Sequence, residues 1–223
     1  MVVVHHLNNS RSQRVLWLLE ELGIAYEVKR YERDAKTMLA PDALKAVHPL
    51  GKSPVITDAG RNIAETGAIV DYLIETYGGG RFIPEAGTEE RLRYNYWMHY
   101  AEGSAMPPLV MKLVLNEVPR SRQMPVLLRP VARMLFGGLM RNYVDPQIAA
   151  HIGFWRGELE KSAYFAGDEL TGADIMMSFP LEVAQVRGEL PPLLKGYLAA
   201  IQDRPAYKRA LERGGPYMLM GEP

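Results

Sequence analysis

The chain has 223 residues, 48% of them hydrophobic, enough for one large domain or two small ones with a substantial core. Lys and Arg (26) balance Asp and Glu (26), so the chain as a whole has no bias toward nucleic acid or an anionic membrane, although a local basic patch stays compatible. The absence of cysteine excludes disulfides and thiolate metal sites and fits a reducing, cytoplasmic setting.

Val2 to Leu7 is a short β-branched run and predicts a first strand. This start lacks a basic lead and a long apolar run, so no secretory signal is expected. No segment offers about 20 uninterrupted apolar residues for a spanning helix. Val15, Leu18, Leu19 and Leu22 follow helical spacing, and Gly23 should stop that helix. Tyr26 to Tyr31 predicts a second strand. Residues 36–47 predict a weaker helix ended by His48-Pro49. Val55 to Thr57 and Arg61 to Ala64 flank Asp58-Ala59-Gly60 as a hairpin. Ala68, Ile69, Tyr72 and Leu73 begin another helix, ended by Gly78-Gly79-Gly80. The order is strand, helix, strand, helix, strand, strand, helix, with Ser53-Pro54 entering the third strand. That is the order of a thioredoxin-like α/β unit.

The glycine run and Pro84-Glu85-Ala86-Gly87 form the best linker. Beyond it only helical patterns remain, over 89–118, 124–143, 146–163, 172–187, 191–202 and 205–213. The division expected is an α/β domain over 1–80 and an all-α domain over 88–223. Thr171 and Asp174 carry a capping-box pattern, with Leu170 and Ile175 as its staple. The segment 119–141 holds five arginines, Arg120, Arg122, Arg129, Arg133 and Arg141, among aliphatics and no acid. It reads as an amphipathic helix with a solvated basic face, as a lid, or as a membrane-surface contact. His5, His6, His48, His99 and His151 include no i, i+4 pair, so no metal site is expected.

Three short segments carry candidate chemistry. Asn8-Asn9-Ser10-Arg11-Ser12-Gln13-Arg14 joins the first strand to the first helix. Ser10 and Gln13 match a capping box, yet a serine hydroxyl at a helix N-terminus also suits an anion, with Arg11 and Arg14 adding positive potential. Arg14 equally suits a domain interface. In Gly51-Lys52-Ser53-Pro54-Val55 the proline removes a ladder donor, and a cis bond would turn the Ser53 backbone toward an extended peptide ligand. In Glu65-Thr66-Gly67-Ala68-Ile69, Thr66 can cap a helix and Glu65 can meet an ammonium group. Each segment alone also reads as ordinary capping, edge or surface chemistry.

Together, Ser10…Arg14-Val15, His48-Pro49-Leu50-Gly51-Lys52-Ser53-Pro54, Glu65-Thr66-x-Ala68-Ile69 and Thr171-x-x-Asp174 resemble the cytosolic glutathione transferases across essentially the whole chain. The first loop is most similar to serine-type members, near the theta and zeta classes, and to microbial members. Ser53 stands where valine is frequent, and Thr66 where serine is. The lack of cysteine argues against the omega and beta classes. No tyrosine sits in the first loop, which argues against the tyrosine-type classes.

The resemblance implies glutathione as co-substrate, no metal, a hydrophobic electrophile as second substrate and a homodimer. It implies that Ser10, with Arg11, faces the sulfur. Asn9, Lys52, Ser53, Pro54, Glu65 and Thr66 would hold the tripeptide, with Glu65 and Thr66 at the γ-glutamyl end and Lys52 at the glycyl carboxylate. Tyr100, Met106 and Met111, with Tyr217 from the tail, would line the electrophile site. A thiol of pKa about 8.5 needs roughly 2.7 kcal/mol of anion stabilisation to become mostly thiolate at pH 7. Ser10 would supply part of it as a donor, not as a nucleophile. The expected activity is conjugation of glutathione to electrophiles. Peroxidase, isomerase or dehalogenase chemistry, or a non-catalytic binding or regulatory module on the same fold, are the alternatives.

Overall fold

The computed structural model describes residues 1–34, 37, 39–121, 124–188 and 190–218. Its first half contains β1 (Val2–Leu7), α1 (Ser12–Leu22), β2 (Tyr26–Tyr31), α2 (Asp42–Lys45), β3 (Val55–Asp58), β4 (Arg61–Ala64) and α3 (Thr66–Tyr77). The strands form one mixed sheet in the order β2-β1-β3-β4. β1 pairs parallel with β2, Leu7 opposite Tyr31, and antiparallel with β3, Val4 opposite Ile56. β3 and β4 close the hairpin, Ile56 opposite Ile63. The thioredoxin-like order is met.

The period of two in β1 explains what each of its residues touches. Val2 and Val4 join the large core with α1 and α3. Leu7 turns to the other face, where it packs with Tyr31 and Leu44 of α2. Adjacent histidines separate the same way. His5 bonds Tyr31 and Thr57 on the neighbouring strands, whereas His6 meets Ser12 of α1.

Two sequence expectations need adjusting. The helix over 36–47 shrinks to α2, and positions 36 and 38 lie outside the described residues. The Asp34 carboxylate accepts from the Thr37 amide and hydroxyl, a local turn that competes with helix. Only Leu44 of α2 is buried, so little packing opposes that turn. α3 begins at Thr66 rather than Ala68, directly after Glu65 at φ 71°.

The second half is helical among the described residues. α4 (Glu89–Tyr100), α5 (Met106–Glu117), α6 (Arg129–Leu139), α7 (Asp145–Leu159), α8 (Gly172–Arg187), α9 (Pro192–Gln202) and α10 (Pro205–Gly214) follow in order. Single π turns, Ala101–Ala105 and Met140–Val144, join α4 to α5 and α6 to α7. Each precedes a proline-bearing helix start, Pro107-Pro108 and Pro146. A proline ring clashes with the carbonyl four residues back, and a widened turn accommodates it without ending the rod.

α8 runs through the core between α1, α3 and α4. Its capping box forms as expected. The Thr171 hydroxyl accepts from the Ala173 amide at 3.3 Å, and Asp174 accepts from the Thr171 amide at 2.9 Å. Asp174 also accepts from the Phe165 amide and the Tyr197 hydroxyl, which ties the loop before α8 and helix α9 to its first turn. Burial raises the Asp174 pKa although these hydrogen bonds oppose the shift. α10 packs on α1, where Tyr207 meets Trp17 edge-on at 5.5 Å.

Candidate functional site

The turn from β1 to α1 places Ser10 under the first turn of the helix. Asn9 has φ 50°, a left-handed conformation that asparagine tolerates, and it redirects the chain there. The Ser10 side chain is 5% exposed. The expected capping box with Gln13 is not formed. The N-cap position falls on Arg11 in helical conformation, and Gln13 is buried against α10 at Gly214 instead of reaching back. The Ser10 oxygen does accept from the Ser12 amide at 3.3 Å.

A chain of hydroxyls runs inward from this point. Ser10 Oγ lies 2.7 Å from Ser12 Oγ, which lies 2.9 Å from His6 Nδ1. Burial, with Arg30 adding to it, holds His6 down at about 4, and the Gly214 carbonyl takes a hydrogen bond from the ring. The imidazole is therefore neutral near pH 7, with Nδ1 as acceptor. Ser12 then donates to His6, and the Ser10 proton has two acceptors, Ser12 Oγ at 2.7 Å and Ser53 Oγ at 3.4 Å.

Outward, Ser10 Oγ lies 3.4 Å from Ser53 Oγ. The Ser53–Pro54 peptide is cis, the question the sequence left open. The Ser53 hydroxyl donates to the His5 carbonyl at 2.9 Å and accepts from the Leu7 amide at 3.3 Å. It thus stitches the proline loop to the end of β1, where Pro54 has no amide to offer.

Between these loops lies a cavity of about 350 Å³. Asn9, Ser10, Arg11, Lys52 and Ser53 all line it, as the sequence suggested. Arg33, Lys45 and Phe179 line it too, and no carboxylate does among the described residues. Lys45 also pairs with Asp42 at 2.7 Å. The cavity is thus a cationic cleft with one buried hydroxyl at its floor. Three larger clefts, of about 480, 500 and 520 Å³, lie elsewhere, the second of them lined by Tyr96, His99 and Tyr100. In two of them an arginine serves the fold: Arg81 donates to the Gly78 and Leu22 carbonyls, and Arg204 is paired with Glu21.

Arg11 is not the free cation the sequence suggested. Its Nε donates to both Glu102 oxygens at 3.0 Å, across to the helical half. Arg14, fully buried, binds the same carboxylate and the Met176 carbonyl. Both guanidinium groups lie 5.1 Å from the Phe179 ring centre. Burial pushes the Glu102 carboxyl up, but Arg14 and Arg11 outweigh it and leave it below its ordinary value. This triad keeps one net positive charge at the seam between the halves, and Arg14 acts as the interface residue anticipated for it.

The remaining expected residues do not line the cavity. Glu65 is exposed and Thr66 buried at the start of α3. Tyr100 is buried, bound to His151 and accepting from Trp155 Nε1 at 3.1 Å. Met106 is core, and Met111 is 39% exposed on α5. Tyr217 donates to the buried Glu182 at 2.7 Å. The four electrophile candidates thus lie away from this cavity, and Tyr100 lines a separate cleft with Tyr96 and His99. The tail does reach the site, because the Met218 amide donates to Asn9 Oδ1 at 2.8 Å. Phe179 has no sequence signal, being one apolar residue among many on α8. Arg33 and Lys45 are cations near β2 and α2 whose convergence depends on loop paths. Among the described residues, no group of three or more His, Asp or Glu is placed to hold a metal ion.

Comparison with known proteins matches residues 1–75 to the glutathione S-transferase N-terminal domain family and residues 140–205 to the C-terminal domain family. Glutathione S-transferase 3 of Schizosaccharomyces pombe is 35% identical, covering 96% of this chain and 88% of that protein. Glutathione S-transferase 1 of Saccharomyces cerevisiae is 33% identical, covering 96% and 95%. A solved glutathione S-transferase from Actinobacillus pleuropneumoniae superposes with a TM-score of 0.78 at 30% identity, covering 100% of this chain and 97% of that one. A sphingomonad glutathione S-transferase complexed with glutathione shares the fold, with a TM-score of 0.72 at 20% identity, covering 96% and 98%.

Proposed function

Since the chain belongs to the glutathione S-transferase family, we propose that the cationic cleft above Ser10 binds glutathione and that the protein transfers its sulfur to hydrophobic electrophiles. The observation that carries this reading is the lining itself: Arg11, Arg33, Lys45 and Lys52 around one buried hydroxyl, with no carboxylate in the lining among the described residues. Glutathione brings two carboxylates and a thiol that must ionise. Cations suit the first need, and a hydroxyl at a helix N-terminus suits the second.

In this reading Ser10 donates to the sulfur anion. Its proton has Ser12 and Ser53 as acceptors, so donation to sulfur needs rotation about the Cβ–Oγ bond. That rotation forfeits a neutral hydrogen bond of about 1 kcal/mol and gains a charged one of about 1.5–3 kcal/mol. The net gain is modest, and the helix terminus and the net positive triad supply the rest of the thiolate stabilisation. The Ser53 backbone pairs with the cysteinyl unit, beside Pro54. Lys52, with Asn9 nearby, holds the glycyl end. Glu65 and the Thr66 amide receive the γ-glutamyl end from the start of α3. Phe179, rather than Tyr100, Met106, Met111 or Tyr217, is the wall offered to the electrophile.

The division of labour is a glutathione lobe over 1–80 and an electrophile lobe over 88–223, working in a cytoplasmic homodimer. Calorimetric titration tests the core of this proposal. Saturable heat with glutathione in the millimolar range is expected, and a flat titration refutes it. Light scattering is expected to give about twice the 25.1 kDa chain mass.

A further inference from the structure

Glu182 is a buried acid with no part in the proposed chemistry. It lies on α8, three residues beyond Phe179, and is only 3% exposed. Its Oε1 accepts from the Tyr207 hydroxyl at 2.6 Å and its Oε2 from the Tyr217 hydroxyl at 2.7 Å. Burial pushes its carboxyl up, against the pull of both hydroxyls and of Arg14. A carboxylate removed from water is costly unless hydrogen bonds satisfy it, and an apolar side chain would fill the same space without that cost. What the acid adds is direction. Tyr207 is already seated, edge-on against Trp17. Tyr217 follows the end of α10, and a terminal segment stays in place only where something ties it.

One peptide unit carries this tie to the cleft. The Met218 amide donates to Asn9 Oδ1 at 2.8 Å, while the Met218 side chain is 65% exposed and packs little. Asn9 is the residue of the β1–α1 turn with φ 50°, and it precedes Ser10. Its neighbours have anchors of their own. The Asn8 amide donates to the Tyr31 carbonyl, the Asn8 side chain accepts from the Arg33 amide, and Arg11 is held by Glu102. The anchor of Asn9 comes from the far end of the described chain.

We propose that Glu182 and Tyr217 are positioning residues for the cleft: they hold the Met218 amide against Asn9, and that contact keeps the turn in the conformation that seats Ser10. The proposal rests on the glutathione reading and adds to it two residues that touch neither the peptide nor its sulfur.

A double-mutant cycle tests this, read as the pH profile of kcat/KM with glutathione and a chloronitroaromatic substrate. Tyr217→Phe removes the hydroxyl that Glu182 holds. Asn9→Gly removes the acceptor while still permitting a left-handed turn. Tyr217→Phe should lower kcat/KM below the thiol pKa by about two- to tenfold, the worth of one neutral hydrogen bond, with the bound thiol pKa raised by about 0.3–1 unit. Made in the Asn9→Gly background, the same substitution should change nothing further, because the contact it serves is already gone. Met218→Pro deletes the donated N–H at an exposed position and should reproduce the Tyr217→Phe profile if the buried variant folds poorly by circular dichroism. A lower stability with an unmoved thiol pKa, or additive effects of Tyr217→Phe and Asn9→Gly, would overturn the proposal. So would a Met218→Pro variant that behaves like the parent. A parent that binds no glutathione in calorimetry overturns both readings, whereas variants that match a binding parent overturn this one alone.

Discussion

Replacing Ser10 by alanine tests the thiolate argument at its most specific point. In the parent, ionising the bound thiol exchanges the Ser10–Ser12 hydrogen bond, 2.7 Å between oxygens, for a bond from Ser10 to the sulfur anion. The exchange is worth about 1.5–3 kcal/mol less about 1 kcal/mol, or roughly 0.5–2 kcal/mol. Alanine loses both bonds. The bound thiol pKa should rise by about 0.4–1.5 units. Below that pKa, kcat/KM with a chloronitroaromatic substrate should fall by roughly 2- to 30-fold. Ser12→Ala should act in the opposite direction, because it removes the nearer acceptor and leaves only Ser53 Oγ, at 3.4 Å, to compete with sulfur for the Ser10 proton. The assay is the pH profile of kcat/KM, with thiolate ultraviolet absorbance of the protein–glutathione mixture as a direct check. An unmoved profile in Ser10→Ala would refute the reasoning. So would a thiol pKa that rises in Ser12→Ala.

Lys52 is exposed and lines the cleft, so Lys52→Ala should raise the glutathione KM about two- to fivefold at nearly constant kcat, as suits a screened ion pair of about 0.5–1 kcal/mol; initial-rate kinetics read the split. Asp174 holds the Thr171 amide and hydroxyl, the Phe165 amide and the Tyr197 hydroxyl. Asp174→Ala should therefore cost about 3–5 kcal/mol in urea denaturation, and a loss under 1 kcal/mol would contradict the network's role. His6 falls from 6.5 in the unfolded chain to about 4 in the fold. Its contribution is then complete above pH 6.5 and is lost as pH falls toward 4, because the unfolded state takes up the proton first. The window spans about 3 kcal/mol, and His6→Asn should remove that much pH dependence from the stability curve. Identical slopes for parent and variant would show that the imidazole is not buried neutral.

The strands, the capping box at α8 and the loop carrying Ser10 were legible because their signals are local: a period of two, a hydroxyl three residues before an acid, a polar turn before an apolar helix. The failures share a cause. Ser10 and Gln13 satisfy a capping box by spacing, but α10 packs on α1 and claims Gln13, a contact between positions 13 and 214. Arg11 reads as a free cation until Glu102 is brought to it from 91 residues away. Tyr100, Met106 and Tyr217 have side chains that suit an electrophile wall, yet tertiary packing assigns them to the interior. Phe179 reaches the cleft only because α8 threads between the halves. His6 is similar: sequence assigns it no role, whereas its neighbours make it the end of a hydroxyl chain. Composition tells which side chains are available, and long-range packing decides which are spent.

Residues 217 and 218 are clasped twice, Tyr217 to Glu182 inside the protein and Met218 to Asn9 on the loop between β1 and α1. Exposed Met218 therefore sits beside a residue that lines the cleft. A bulky group attached at Met218 would act as a steric gate on the entrance and would distort kinetics measured with bulky second substrates. A reporter dye attached there would, for the same reason, sense ligand entry without any reengineering of the cleft.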